Sequence, residues 1–197
     1  IVSAGPLAFL AVGLLALAYW WLNPNPPKTV TLATGPAQSA YEEFGKRYQK
    51  ALAVDGIEVV LLPSEGSSHN LQLLREGKAD VAFVQGGTAE LLPDDPDELV
   101  SLGNLFVEPV WLFYRTETAQ RMYNTPRLDG LRQLRGLHVN VGSQGSGVPT
   151  LMERLLEANK VERGAVKLSR LDQTPATVDF LAGKLDALVF ASAPESL

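Results

Sequence analysis

No Lys, Arg, Asp or Glu occurs before Lys28, so all 17 basic and all 22 acidic residues of this 197-residue chain follow that point. A soluble domain needs charge on its surface, and this asymmetry divides the chain into an uncharged head and a soluble remainder. Ile1 to Leu22 (IVSAGPLAFLAVGLLALAYWWL) has the length that crosses a hydrocarbon core of roughly 30 Å as a helix. Tyr19, Trp20 and Trp21 close the run where amphipathic rings favour the headgroup layer. Asn23 to Pro27 (NPNPP) then stops the helix and stiffens its exit. The head reads as a single-pass anchor over 1–22 with a Pro-rich linker over 23–27. A cleaved signal peptide competes with this reading, because Ala16-Leu17-Ala18 has the small-x-small pattern that signal peptidase prefers.

The remainder carries a net charge of −5 and contains no cysteine. Disulfides, thiolate metal sites, Fe–S clusters and Cys nucleophiles are thereby excluded. An acidic chain also lacks the basic footprint that phosphate backbones require, which argues against nucleic acid as a partner. The aromatic content, 7 Phe, 5 Tyr and 3 Trp, suffices for a packed core.

From Lys28 onward short β-branched runs alternate with helical periods, the pattern of an α/β fold with parallel strands. Thr29 to Ala33 predicts a strand, and Ser39 to Ala53 a helix with Tyr41, Phe44, Tyr48 and Leu52 on one face. Ile57 to Leu62 predicts a second strand, Asn70 to Glu76 a short helix turned inward on Leu71 and Leu74 and ended by Gly77, and Asp80 to Val84 a third strand. Leu91 to Glu98 reads as a solvated acidic turn, since it lacks the glycine and terminal Glu of an EF-hand. Leu99 to Phe106 and Val110 to Tyr114 read as further strands, and Thr116 to Pro126 as polar and irregular. A second series follows: a short helix over 128–134, strands over 137–141, 166–168 and 185–190, and helices over 150–159 and 174–182. The expected domains are therefore a first lobe over 28–115, a connection over 116–135 and a second lobe over 136–197.

Four strand-to-helix loops are rich in Gly and small polar residues: Thr34 to Tyr41, Ser64 to Asn70, Val84 to Thr88 and Gly142 to Gly147. In an open α/β sheet, ligands bind beyond the carboxyl ends of strands and near helix N-termini, where such loops lie. Gly142 to Gly147 has phosphate-loop spacing, yet Val148 and Pro149 stand where the Lys and Ser or Thr of that motif belong, so nucleotide hydrolysis is not expected. Two readings of it stay open: an anion-binding turn offering backbone N–H groups with Ser143 and Ser146, or a tight turn whose serines cap a helix. Tyr41 is equally a core residue or a cleft-lining phenol. His69 and His138 are the only histidines; neither has metal-ligand spacing, and His138 reads as a satisfied structural residue. No G-x-S-x-G elbow occurs, and no acid/base pair or activated nucleophile is visible, so a non-enzyme without cofactor or metal is expected.

Taken in order, several short motifs resemble the TAXI class of solute-binding receptors of tripartite ATP-independent periplasmic (TRAP) transporters. They are Thr34-Gly35-Pro36 with Tyr41; Gly66-Ser67 with Asn70-Leu71; Gly77 with Ala79-Asp80-Val81-Ala82 and Val84-Gln85; Glu108-Pro109; Val139 with Val141-Gly142 and Gly145-Ser146-Gly147; and Gly183-Lys184-Leu185-Asp186-Ala187. The resemblance implies an α/β periplasmic-binding-protein-like (type II) two-lobe fold that closes on a small carboxylate-bearing ligand, an amino acid or a dicarboxylate. It implies delivery to TRAP permease subunits at a bacterial inner membrane, with the soluble part on the periplasmic side and the bilayer met through residues 1–22. It places Thr34, Tyr41, Ser67, Asn70 and Gln85 on the first lobe's side of the cleft and Ser143, Ser146 and Gly147 on the second's. Val148 departs from the Thr common in that class. Such receptors also continue past the strand at 185–190, so the second lobe is expected to be incomplete here. A ligand-sensing domain tethered to a signalling partner is the alternative on the same fold.

Overall fold

The computed structural model describes residues 5–22, 27–88 and 99–192. The acidic turn expected at 91–98 lies outside the described residues. Helix α1 (Gly5–Leu22) runs for 18 residues, about 27 Å at 1.5 Å per residue, and none of its residues is buried against the rest of the chain. Trp20 and Trp21 are 79% and 83% exposed at its end.

The first sheet is parallel, in the order β2-β1-β3. Strand β1 (Thr29–Ala33) pairs with β2 (Glu58–Leu62) from Thr29↔Glu58 to Ala33↔Leu62, and with β3 (Val81–Ala82) through Leu32↔Val81. Helix α2 (Ala40–Ala53) starts at Ser39, whose hydroxyl accepts the Glu42 N–H at 3.3 Å. Leu32, Tyr41, Val59 and Phe83 form the core on its side of the sheet, and Phe44 stacks on Phe106 with ring centroids 4.4 Å apart. Helix α3 (Ser67–Arg75) begins three residues before its expected start, which brings Ser67 into its first turn. It buries Leu71 and Leu73, whereas Leu74, expected inward, is only partly covered.

The second sheet is mixed, in the order β4-β7-β5-β6. Strands β5 (His138–Asn140), β6 (Lys167–Ser169) and β7 (Ala187–Ala191) are parallel, while β4 (Val110–Tyr114) runs antiparallel to β7 from Val110↔Ala191 to Tyr114↔Ala187. Pattern alone puts the run 110–114 in the first lobe; its pairing with β7 places it in the second sheet. Alternation identifies a strand, but its partner lies far along the chain and leaves no local signal. The run 99–106 is not a strand: Val100 and Leu102 are exposed, and Phe106 is held by ring packing on α2. The stretch after β4 is helical where an irregular segment was expected. Helix α4 (Thr116–Tyr123) buries only Thr118 and Ala119, too narrow a face to show as an apolar stripe, and Asn124 ends it in the left-handed region at φ 56°. A 3-10 turn (Leu131–Leu134), α5 (Val148–Ala158) and α6 (Gln173–Leu181) complete the second lobe. Its core is Leu134, Leu137, Val139, Val141, Met152, Leu156 and Val189.

Candidate functional site

Loops after β1, β2, β3 and β5 lead into a common region where the two sheets' carboxyl ends meet. Asn70, fully buried, organises the first lobe's side. Its amide nitrogen donates to the Thr34 carbonyl at 2.5 Å and the Phe83 carbonyl at 2.7 Å, tying the ends of β1 and β3 to α3. Only N–H can face two carbonyls, so the amide orientation is fixed and Oδ1 is left as a buried oxygen without a partner. Thr34 supports the same corner: its hydroxyl, 3.3 Å from the Leu62 carbonyl, donates there.

Ser67, Tyr41 and Gln85 are joined in a hydrogen-bonded chain. The Gln85 N–H donates to Ser67 Oγ at 2.9 Å, Ser67 Oγ lies 3.2 Å from the Tyr41 hydroxyl, and that hydroxyl donates to Glu108 Oε2 at 2.9 Å. Because Tyr41 commits its proton to Glu108, Ser67 is the donor of the middle link. Burial pushes the Tyr41 phenol far above its usual range, and the adjacent Glu108 charge pushes it the same way. Burial likewise raises Glu108, partly offset by the hydrogen bond from Tyr41. Tyr41, ambiguous in sequence between core and cleft, is both: its ring packs 5.6 Å from Phe83 while its hydroxyl belongs to this chain.

The second lobe's loop 142–147 docks directly on this surface. The Ser68 and His69 N–H groups, in the first turn of α3, donate to the Gly145 carbonyl at 3.1 and 3.2 Å. The Ser68 hydroxyl donates to the Ser146 carbonyl at 3.0 Å, and Arg154 on α5 bonds the Gly87 carbonyl. Gly66 permits the approach: its φ is +125°, and a Cβ there would lie 3.1 Å from Ser146 Cα. Gly147 is tighter still, since a Cβ would stand 2.6 Å from Gln85 Oε1 and 2.7 Å from Thr88 Oγ1. Both of those atoms are buried without a partner. Within the loop, the Ser146 hydroxyl donates to the Ser143 carbonyl at 2.8 Å, which uses its proton locally.

Of the eight expected site residues, Ser67, Gln85, Ser146 and Gly147 stand at the contact between the lobes; Thr34, Tyr41 and Asn70 are linked to it by hydrogen bonds within the first lobe, and Ser143 by its carbonyl within loop 142–147. The structure adds Ser68, Thr88 and Glu108. Thr88 ends a loop already singled out; Glu108 shows in sequence as one acid inside the apolar run from Leu105 to Tyr114. His69 Nδ1 accepts the Glu65 N–H at 3.2 Å, and His138 Nδ1 lies 3.1 Å from the Lys184 carbonyl, so each ring is engaged by backbone. Among the described residues no group of three or more His, Asp or Glu side chains converges to hold a metal.

Two α/β sheets meeting along their strand ends define the fold of the periplasmic solute-binding proteins. The alkanesulfonate-binding protein SsuA from Xanthomonas axonopodis pv. citri, bound to MOPS, matches with a TM-score of 0.54 at 16% identity over 86% of this chain and 56% of its own. The glutathione-import protein of Streptococcus mutans, described with GshT and TcyBC, matches with a TM-score of 0.55 at 14% identity over 85% of this chain and 69% of its own. The effector-binding domain of QuiR in complex with shikimate matches with a TM-score of 0.52 at 14% identity, covering 85% and 75%. The chain thus spans little more than half the length of the alkanesulfonate-binding protein. No curated protein sequence matches it. The NMT1-like family model matches residues 32–196, and the chain belongs to that family.

Proposed function

We propose that this chain is the capture component of an extracytoplasmic uptake system, a non-enzymatic receptor whose lobes close on a small organic anion. The observation that carries the reading is the inter-lobe contact itself. First-turn N–H groups of α3 are aimed at the second lobe, and in this closed form they hold the Gly145 carbonyl, an oxygen in the place a ligand oxygen would take. An amino acid or dicarboxylate entering between the lobes would replace that carbonyl, and closure would exclude water around it. Thr34, Tyr41, Ser67, Asn70 and Gln85 on one side and Ser143, Ser146 and Gly147 on the other are the proposed lining. Resemblance to the TAXI class supports a TRAP-type permease as recipient, and α1 supports a tether to the inner membrane, with a cleaved signal as the competing fate of that helix. Calorimetric titration of the full-length protein with amino acids and dicarboxylates tests the reading. Saturable one-to-one binding of at least one is expected; absence of binding to every member would overturn it.

A tethered sensor is the second reading, favoured by the likeness to an effector-binding domain. Co-purification of the membrane protein from its native host separates the two. Recovery of permease subunits supports transport, and recovery of a kinase or cyclase supports sensing.

A further inference from the structure

The parallel strands β5 and β6 point their carboxyl ends at the cleft, so their amino-terminal ends form the opposite pole of the second lobe. Two segments lie side by side there. Arg132 Nε donates to the Asn159 carbonyl at 2.9 Å, Arg135 Nη2 to the Lys160 carbonyl at 2.7 Å and the Gly136 N–H to the Ala165 carbonyl at 2.7 Å, and His138 pairs with Lys167. Segments 130–138 and 158–167 carry Arg132, Arg135, Lys160, Arg163 and Lys167, all exposed, against one acid, Glu162. In a chain of net charge −5 this pole reverses the sign. Elsewhere bases are balanced locally: Lys46, Arg170 and Lys184 stand 3.0, 2.8 and 2.8 Å from carboxylate oxygens of Glu42, Glu153 and Asp179. Among the described residues none of the five has such a partner. Arg132 and Arg135 bond carbonyls, which carry no net charge. Asp186, beside His138, commits its carboxylate to the His138 N–H and the Thr118 hydroxyl, with Arg121 at 3.9 Å. Clustered cations without counter-charges repel one another, and an extended anionic surface relieves them.

We propose that this pole rests on the anionic headgroups of the bilayer that α1 enters, so that the tether holds the first lobe and charge holds the second. Six residues separate α1 from β1, a reach of at most about 25 Å, which keeps the lobes beside the membrane. At that range the leaflet and the pole meet as complementary surfaces, each Lys or Arg adding roughly fivefold to the attraction. The attraction decays over a Debye length, about 10 Å at 0.1 M salt, so it acts only on side chains at the surface, as these five are. Both lobes are then attached, and the cleft is carried along the membrane instead of swinging on one linker. The proposal goes beyond the receptor reading, from which it takes only the tether, and it holds whatever the cleft binds.

The test is lysine acylation of the full-length protein with vesicles, reading Lys160 and Lys167 against Lys50, an exposed residue on α2 of the first lobe. With vesicles containing about 30% phosphatidylglycerol, both probes are expected to react at least fivefold more slowly, relative to Lys50, than with pure phosphatidylcholine, and about 0.5 M NaCl is expected to restore them. Arg163→Glu replaces an exposed side chain and leaves both probes in place. It is expected to reduce the slowing to less than twofold at an unchanged melting temperature, and Arg163→Gln is expected to act in the same direction should the charge reversal unfold the chain. Equal rates on the two lipids, slowing that survives the salt, or undiminished slowing in a folded variant overturns the docking. Flotation with pure phosphatidylcholine reports the α1 tether by itself. A chain that floats there without lipid-dependent slowing keeps the tether and loses the docking; a chain that floats only with phosphatidylglycerol loses the tether and keeps the docking.

Discussion

One amide, that of Asn70, holds the ends of two strands against a helix. Asn70→Ala strips the Thr34 and Phe83 carbonyls of that donor inside the fold and is expected to cost about 2–4 kcal/mol, at roughly 1–3 kcal/mol per orphaned buried group. Asn70→Asp should cost more, because a carboxylate would face two carbonyls. Urea denaturation measures both. Glu108 sets a pH dependence. Its folded-state pKa is raised by burial, so the protonated form is the one the fold favours. Its contribution to stability is complete below the ordinary Glu value, about 4.3, and is lost as pH rises through the raised value. Glu108→Gln keeps an acceptor for Tyr41 and removes the charge, so its stability relative to the parent should grow as pH rises from 4 to 7. A constant difference across paired urea melts over that range would contradict the raised value. Composition marked the loop Ser64 to Asn70 and the family resemblance put Ser67 and Asn70 at the cleft, but neither shows which proton each commits, because hydrogen-bond direction depends on neighbours such as Glu108 that lie 38 or more residues away.

Among the elements, loop 142–147 and the start of α5 carry the functional argument. Gly147 has an ordinary φ of −79°, so alanine there strains no backbone; it fails because Gln85 Oε1 and Thr88 Oγ1, with Ser67 Cβ at 3.2 Å behind them, occupy the space of its methyl. Gly147→Ala is therefore expected to leave the melting temperature of the unliganded protein within a few degrees and to weaken ligand binding at least tenfold, about 1.4 kcal/mol. Calorimetry beside thermal unfolding separates the two effects. Ser39→Ala at the N-terminus of α2 is a purely structural contrast, expected to cost about 1 kcal/mol without altering the cleft. Strands β1, β2 and β5 and helices α2, α5 and α6 were legible because period and breaker residues agree locally. Besides the run 99–106, whose apolar residues suggested a strand and form none, three things were not: the sheet to which β4 belongs, the helicity of 116–123 and the early start of α3. The first is a long-range antiparallel pairing, the second a helix with two buried residues, and the third a turn beginning after a glycine with no side-chain cap.

At the scale of the whole molecule, the uncharged head and the cleft are two halves of one proposal. Helix α1 buries nothing against the lobes, so its apolar surface is available to a bilayer. The full chain should remain with the membrane through alkaline carbonate washing, and a chain beginning at Lys28 should be released; release of both would favour the signal-peptide fate. The lobe contact is expected to open and close around ligand, because its described bonds run from the α3 N–H groups, the Ser68 hydroxyl and the Arg154 guanidinium to backbone carbonyls, whose place ligand oxygens can take. Amide hydrogen exchange of the full-length protein, with and without the tightest-binding member of the titration panel, tests this most directly. The account predicts that added protection appears together at 66–70, 84–88 and 142–147, in both lobes at once. Protection confined to one lobe, or lying outside these three loops, would contradict it.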